Sequence, residues 1–393
     1  MSYSKLQVAV AIFAMAIGTF AIGIGEFVMM GLLPNVGSEF GTSSQQTGHL
    51  ISLYALGVVI GAPLITIVFA RANKKSLLLA LMGLYAVTNI ASAEADSFQQ
   101  LQWLRFISGL PHGAYGGIVC LLAAAMVRKN QRGKAVTLVM MGLTLAILIG
   151  NPLATWFGQM LDWRWVYRGV GITALSAVLL IAIAVPAIRQ QQHSRTRTEL
   201  SALKNKQVLL TLAIGSIGFG GMFAVLSYLA PTLLEATQVS QGWIPIALLI
   251  YGVGSFIGSL VGGWATDVNM KWAIGGALAW ATLVLFVFPF SIDNLVSILP
   301  MVFLLGSTAA LVPTLQVRLM DVAGEAQTLA ASLNHAAFNI ANGIGAYLGG
   351  LAIVSPWQWQ GTGWVGCLLA GSGLIIFFIT KNHSRKVNYA ESL

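Results

Sequence analysis

Two charged side chains of this chain lie inside long apolar segments, where an ionised group is costly. Glu26 lies in the apolar run 8–33, and Arg105 lies in the run 98–127. The two segments cross in opposite directions, and each residue is seven positions from the predicted outer end of its segment. At a rise of about 1.5 Å per residue, both therefore lie about 10 Å deep. An acid and a base at matching depth predict a pair that lines one cavity. Charged groups at such positions mark ion or substrate pathways.

Two histidines extend this chemistry. His112 follows Arg105 by two helical turns, and His335 stands beside Asn334 in a later apolar run. A histidine titrates near neutral pH and suits a proton relay, whereas the commoner role is a hydrogen bond between helices. Glu26, Arg105 and His112 are the predicted proton-coupling group, and the alternative for Arg105 is a structural role in which it bonds the backbone of span 1. Neither histidine has a metal-ligand spacing.

Polar and aromatic residues in other apolar runs are the predicted substrate contacts. Asn339 and Asn342 share one helix face with His335. Such a lining suits a neutral or weakly cationic solute, since Arg105 is the only basic group available to it. The alternative for each aromatic residue is packing or lipid contact. The full set is Phe27, Tyr54, Tyr115, Phe223, Tyr228, Gln316, His335, Asn339 and Asn342.

The segments that carry these residues are membrane spans. The chain of 393 residues is 57% hydrophobic and 8% charged, with a mean hydropathy of +0.80. Soluble domains carry about 25% charged residues. Runs of about 20 apolar residues can cross a bilayer as helices, so the sequence predicts an all-α integral membrane protein with twelve spans. Spans 1 to 12 are predicted at 7–33, 46–70, 76–94, 98–127, 134–158, 166–187, 208–233, 243–266, 271–290, 294–317, 327–353 and 361–380.

The net charge of +9 does not indicate nucleic acid, because the basic residues cluster in alternate loops. Loops rich in Lys and Arg stay on the cytoplasmic side. The pattern predicts a multi-pass protein of a bacterial inner membrane with both termini in the cytoplasm. Cys120 and Cys367 lie inside apolar runs and indicate neither a disulfide framework nor a metal site.

The two halves of the chain resemble each other. A polar, basic stretch at 189–207 divides them, which predicts an N-terminal bundle at 1–188, a cytoplasmic linker and a C-terminal bundle at 208–393. Parallel repeats of this kind occur in secondary transporters. The repeat shows at one constant offset, at which Tyr54, Gly57, Ile60 and Gly61 recur as Tyr251, Gly254, Ile257 and Gly258.

Three motifs resemble those of the major facilitator superfamily, in its twelve-span drug:H+ antiporter branch. They are the basic loop after span 2, with its duplicate after span 8, the Arg105-x-x-x-Gly109 motif of span 4, and a glycine-proline motif in span 5. The chain departs from the family pattern at Ala70, Asn73 and Asn151. The resemblance implies gating roles for Arg71, Lys74, Lys75, Asp267, Lys271, Gly150 and Pro152.

Within that branch the chain is most similar to arabinose and other sugar efflux permeases. The similarity covers both halves and rests on Glu26-Phe27, Gly31 to Pro34, Pro111-His112-Gly113 and Asn334-His335. It implies a fold of two pseudo-symmetric six-helix bundles. It also implies a transport function without fixing the substrate.

The function predicted from these features is proton-coupled export of a small organic solute, such as a drug, sugar or nucleoside, by alternating access. Protons are the coupling ion, and no other cofactor and no nucleic acid partner are expected. The protein is expected to act as a monomer in the lipid bilayer. A facilitator or importing symporter of the same fold is the first alternative. A membrane-embedded enzyme is the second, and the sequence lacks the nucleophile–base cluster that it needs. No phosphate-binding motif indicates ATP use.

Overall fold

A computed structural model describes residues 4–69, 71–128, 131–186, 205–323 and 327–390. The predicted linker 189–207 lies outside the described residues except for its last three positions. Ala70, where the loop motif departs from the family pattern, also lies outside them. The remaining predictions can be compared with the structure directly.

The N-terminal half forms the first six spans. Span 5 is interrupted by a π-helical turn at Ala146–Gly150, so that it consists of two α-helices joined by this turn. The other five spans are single helices. The helices are α1 (Lys5–Phe40), α2 (Ser44–Val68), α3 (Lys74–Ala93), α4 (Phe98–Ala125), α5 (Arg132–Leu145), α6 (Asn151–Met160) and α7 (Trp163–Ala184).

The C-terminal half is less regular. Span 7 holds a second π turn at Ile214–Gly218. Spans 8 and 9 are two helices that meet at the non-helical backbone of Asn269. Spans 9 and 10 also contain short 3-10 turns, at Phe288–Phe290 and Thr308–Ala310. The helices are α8 (Lys206–Ala213), α9 (Gly220–Leu226), α10 (Leu229–Glu235), α11 (Trp243–Val287), α12 (Leu295–Ser307), α13 (Leu311–Ala323), α14 (Gln327–Ile353) and α15 (Gln360–Ala390).

The twelve predicted spans agree with this architecture. Among the described residues, eleven helical stretches are long and apolar enough to cross a membrane. One of them, Trp243–Phe290, has 48 residues and holds spans 8 and 9. We name the two faces by the predicted orientation: α1 begins on the inner side and ends on the outer side.

Polar residues at the loops set where the helices begin. The Ser43 hydroxyl accepts the Gln46 N–H, and the Gln46 side chain accepts the Ser43 N–H, which completes a capping box. Asn73 accepts the N–H groups of Lys75 and Ser76 at 3.0 and 3.2 Å. Asn73 replaces a glycine of the family motif, and its side chain caps α3.

The internal repeat is visible as two equivalent helix crossings. Gly57 of α2 lies against Gly109 of α4, and Gly254 of α11 lies against Gly306 of α12. Each glycine of the second pair follows its counterpart in the first pair by the same offset of 197 residues. Small residues let membrane helices approach closely. The repeat predicted from Tyr54 and Gly57 is therefore confirmed in the packing.

We expect Gly109→Ala to destabilise the protein. A Cβ added at this position would clash with the Tyr54 carbonyl oxygen, so α2 and α4 would have to separate. Overpacking of this kind costs about 1–3 kcal/mol. The melting temperature in detergent, measured by intrinsic fluorescence, should fall. Gly83→Ala is the matched control, because a Cβ there meets nothing within 4 Å. An unchanged melting temperature for Gly109→Ala would contradict the crossing.

The two halves meet through spans 2 and 11 and through spans 5 and 8. Helix α14 packs along α2, and α11 packs against α6 and the π turn of span 5. At the second contact, Gly252 lies against the backbone of Leu148. Glycine-rich spans 2, 5, 8 and 11 therefore form these contacts between the halves.

The halves are sealed on the outer side. One apolar cluster joins Leu33 and Leu50 of the N-terminal half to Leu226 and Leu248 of the C-terminal half. Nearer the inner side, a second cluster contains only residues of spans 1 to 6. A third, small cluster contains only residues of α8, α13 and α14, while the joining cluster also continues through the core of the C-terminal half.

Ion pairs on the outer surface lie within the N-terminal half. Arg164 donates to Glu39 and, at 3.0 Å, to the Ala95 carbonyl, while Arg168 bonds Glu94 at 2.8 Å. These two arginines are the basic exceptions to the predicted charge asymmetry between loops. Each is paired with a carboxylate of a neighbouring loop or helix end.

Candidate functional site

Glu26 lies at the boundary between the two halves. Its side chain is buried in α1, and its Oε2 is 4.0 Å from His112 Nε2 on α4. Asn342 of α14 and Tyr251 of α11 lie within electrostatic range of the same carboxylate. Groups from both halves therefore surround one acid. A change in its charge alters interactions on both sides of the boundary.

Arg105 is fully buried and does not form a contact ion pair with Glu26. Its Nη1 donates to the Gly25 carbonyl at 2.9 Å, and its guanidinium carbon lies 4.3 Å from the centre of the Tyr54 ring and 5.6 Å from that of Tyr167. Its Nε and Nη2 have no hydrogen-bond partner. The structure thus joins Arg105 to the backbone of span 1 beside Glu26, which is the structural alternative to the pair with Glu26 that the sequence predicted.

His112 connects Glu26 to other titratable groups. Its Nδ1 is 3.1 Å from the Tyr54 hydroxyl, and its ring centre is 6.5 Å from that of His335 on α14. Both roles considered for His112 are compatible with this position. It bonds between α4 and α2, and it also lies beside the carboxylate.

An aromatic layer adjoins the carboxylate. Phe27 of α1 stacks on Phe223 of α9 with ring centres 6.2 Å apart, and Phe219 contacts both Phe223 and Phe338 edge to face. At the repeat offset of 197 residues, Phe223 is the counterpart of Glu26. One half therefore supplies an acid at this level and the other an aromatic ring.

The amides predicted for substrate contact lie on spans 10 and 11. Asn339 Nδ2 donates to the His335 carbonyl at 3.1 Å, and Gln316 accepts from Asn334. Both amide atoms of Asn342 are buried without a hydrogen-bond partner. Asn342 is therefore the amide of this group whose side chain faces Glu26.

Two predicted substrate contacts lie elsewhere. Tyr115 is buried inside the N-terminal half, where its hydroxyl donates to the Met15 carbonyl at 3.1 Å. The Tyr228 hydroxyl donates to the Ala346 carbonyl at 2.8 Å, beside Gly48 and Gly350. Tyr228 therefore packs in the outer closure. In this structure neither residue faces the boundary at Glu26.

The predicted gating residues occupy the inner loops and span 5. Lys75 Nζ donates to the Ala182 carbonyl at 2.7 Å, inside the N-terminal half. Arg71, Asp267 and Lys271 are exposed at the inner ends of spans 2, 8 and 9, respectively. Lys74 begins α3. None of the ion pairs found among the described residues involves Asp267.

Gly150 and Pro152 flank the end of the π turn in span 5. The Asn151 N–H between them bonds the Ala146 carbonyl, which closes the wide turn. Pro152 lacks an N–H and so cannot continue the regular pattern. In the sequence, Asn151 stands out only as a departure from the family motif. Thr155, one turn further along, carries no signal there, although both residues are buried and polar.

The comparisons with known proteins agree with this architecture. The chain is 33% identical to the inner membrane transport protein YdhP of Escherichia coli (strain K12) over 376 residues, covering 95% of this chain and 97% of the relative. It is 28% identical to a probable sugar efflux transporter of Helicobacter acinonychis (strain Sheeba), over 96% of this chain and 95% of that protein.

Among solved structures, the fold matches a bacterial homologue of the human lysosomal transporter Spinster. The TM-score is 0.77 at 13% identity, with 97% of this chain and 98% of that chain covered. The sequence model of the Major Facilitator Superfamily matches residues 15–330 and 247–392. The twelve-span fold, the internal repeat and these matches show that this chain is a membrane transporter of the Major Facilitator Superfamily.

Proposed function

We propose that this transporter is a proton-coupled antiporter that exports a small neutral or weakly cationic organic solute. The observation that carries the proposal is Glu26, the one buried carboxylate among the described residues, at the boundary between the halves. Charging an acid in an apolar site is costly, so proton binding changes the energy of any state that buries it. Alternating access then follows from movement of the halves around this group.

The lining and the relatives support the solute class and direction. Phe27, Phe223 and Tyr251 supply aromatic surface, and Asn339 and Asn342 supply amides. A multivalent anion would need several cations, whereas Arg105 is already bound to backbone and aromatic rings. The name of one relative specifies sugar efflux. The protein acts as a monomer in a bacterial inner membrane, with both termini in the cytoplasm.

In the predicted orientation, this structure is closed on the outer side, because an apolar cluster joins both halves there. We expect cysteines at positions 49 and 347 to trap this state. The His49 and Tyr347 rings stack with centres 6.3 Å apart across spans 2 and 11. In a chain with Cys120 and Cys367 replaced by Ser, a short bifunctional thiol reagent should cross-link His49→Cys with Tyr347→Cys and stop transport. His49→Cys alone is the control. Undiminished transport after confirmed cross-linking would contradict alternating access.

A pH jump in proteoliposomes tests the proposed function. Purified protein is reconstituted, an inward or outward pH gradient is imposed, and a panel of labelled neutral sugars, nucleosides and antibiotics is followed. An antiporter accumulates solute against its gradient in the compartment that loses protons. A facilitator only equilibrates the solute, and a symporter moves it in the same direction as the protons. Chemical change of the recovered solute, detected by mass spectrometry, would instead indicate an enzyme.

A further inference from the structure

Span 5 carries a buried amide that the transport proposal does not use. Asn151 is 4% exposed, and its Oδ1 has no hydrogen-bond partner. It follows directly on the π turn Ala146–Gly150. Buried polar atoms are nearly always partnered, in many cases by ordered water, so this oxygen needs an explanation.

The π turn leaves a second acceptor beside the amide. In a regular α-helix the Asn151 N–H would bond the Ile147 carbonyl, but here it bonds the Ala146 carbonyl. In a π pattern the Ile147 carbonyl would accept from residue 152, which is a proline and has no N–H. The Ile147 carbonyl therefore receives no hydrogen bond from either position.

Ile147 and Asn151 line a small cleft between the two halves. The cleft has room for about one water molecule. A Cβ added at Gly252 would meet the Ile147 oxygen, so this carbonyl is directed at α11, which supplies part of the opposite wall. The remaining walls are apolar or aromatic side chains of spans 1, 7 and 8: Phe27, Met30, Leu226, Leu248 and Tyr251.

We infer that one ordered water molecule occupies this cleft and donates its two hydrogens to Asn151 Oδ1 and to the Ile147 carbonyl. Two acceptors cannot bond each other, whereas a water molecule carries two donors. The Tyr251 hydroxyl donates to Met222 Sδ at 3.2 Å, so it does not compete for these acceptors. Two polar partners are enough to hold an internal water.

This water gives the boundary a polar contact within an otherwise apolar closure. Both acceptors belong to span 5, whereas Leu226, Leu248 and Tyr251 belong to the C-terminal half. When the halves separate on the outer side, the acceptors exchange the ordered water for bulk water and lose no hydrogen bond. Opening at this point then has to overcome apolar contacts only.

X-ray radiolysis followed by mass spectrometry tests the site in the full-length protein in lipid nanodiscs. Hydroxyl radicals formed from an ordered water oxidise the side chain beside it, even where bulk water does not reach. Met30 lines the cleft and the preceding Met29 does not, although both are buried, at 2% and 0% exposed. Met30 should therefore be oxidised faster than Met29.

Two variants each remove one acceptor. Asn151→Leu lacks the amide oxygen, and Pro152→Ala restores an N–H, so that the Ile147 carbonyl gains a backbone donor in either helical pattern. In each variant the oxidation of Met30 should fall to the rate of Met29. Either variant is sufficient if the other does not remain monodisperse. Thr155→Val, which removes a buried, unpartnered hydroxyl outside the cleft, is the matched control and should keep the wild-type rates.

Two outcomes overturn the inference. Equal oxidation of Met29 and Met30 in the wild-type protein would show that the cleft is dry. Faster oxidation of Met30 that persists in either acceptor variant would show that these two oxygens do not hold the water. Because the experiment needs neither a solute nor a pH gradient, its result is independent of proton coupling at Glu26.

Discussion

Glu26→Gln is expected to abolish uphill transport driven by a pH gradient while the protein remains folded. Glutamine keeps the shape of the side chain and its hydrogen bonds to neighbours but cannot bind or release a proton. The carboxylate lies 4.0 Å from His112 and faces Asn342 across the boundary between the halves. Solute accumulation in proteoliposomes should fall to the level of protein-free vesicles.

The matched control for this variant is Glu235→Gln. Glu235 is exposed at the outer end of span 7, so losing its charge should leave accumulation near the wild-type rate. Exchange of solute down its own gradient should survive in Glu26→Gln, which separates a coupling defect from a general loss of transport. If Glu26→Gln still accumulates solute at the wild-type rate, Glu26 is not the coupling site.

Arg105→Lys is expected to inactivate transport and to destabilise the protein, although the charge is kept. The guanidinium bonds the Gly25 carbonyl and lies over the rings of Tyr54 and Tyr167. A lysine is a compact point charge that cannot bond and stack in this way. Loss of a desolvated cation–π contact costs about 2 kcal/mol. Accumulation assays and the melting temperature in detergent measure the two effects.

Arg168→Lys provides the control for that substitution. Arg168 bonds Glu94 at the outer surface, where an exposed ion pair contributes little. The control should transport at the wild-type rate and keep its melting temperature. Full activity of Arg105→Lys would show that only the charge matters at this position. The hydrogen bond to the Gly25 carbonyl and the contacts with the tyrosine rings would then not be needed for transport.

The large-scale architecture could be predicted because it depends on composition and spacing. Apolar length defines a span, and polar residues such as Ser43 and Asn294 begin helices through local hydrogen bonds. The glycine register at 57 and 254 reports helix crossings directly, since a Cβ there would meet the backbone of another helix. Each of these signals lies within a few residues of the feature that it predicts.

The contacts of the site depend on how each helix is rotated about its axis. The depth of a residue in the membrane does not determine that rotation. Equal depth placed Glu26 and Arg105 at one level, but the guanidinium points to the Gly25 carbonyl. Tyr115 follows His112 by only three residues and nevertheless faces the interior of its own half. The π turns in spans 5 and 7 further change how the residues after them are rotated about the helix axis. Asn151 was visible only as a departure from a motif, without an indication of what its side chain faces.

The closure on the outer side has a consequence for how the resting state responds to solution conditions. The halves are joined there by an apolar cluster, whereas the pairs Glu39–Arg164 and Glu94–Arg168 lie within one half. Electrolyte screens exposed charges but not apolar contacts, and apolar association weakens on cooling. Temperature, rather than ionic strength, should therefore shift how often the outer side opens. Distances between spin labels at the outer ends of spans 1 and 7 would show a salt-dependent shift if this reasoning were wrong.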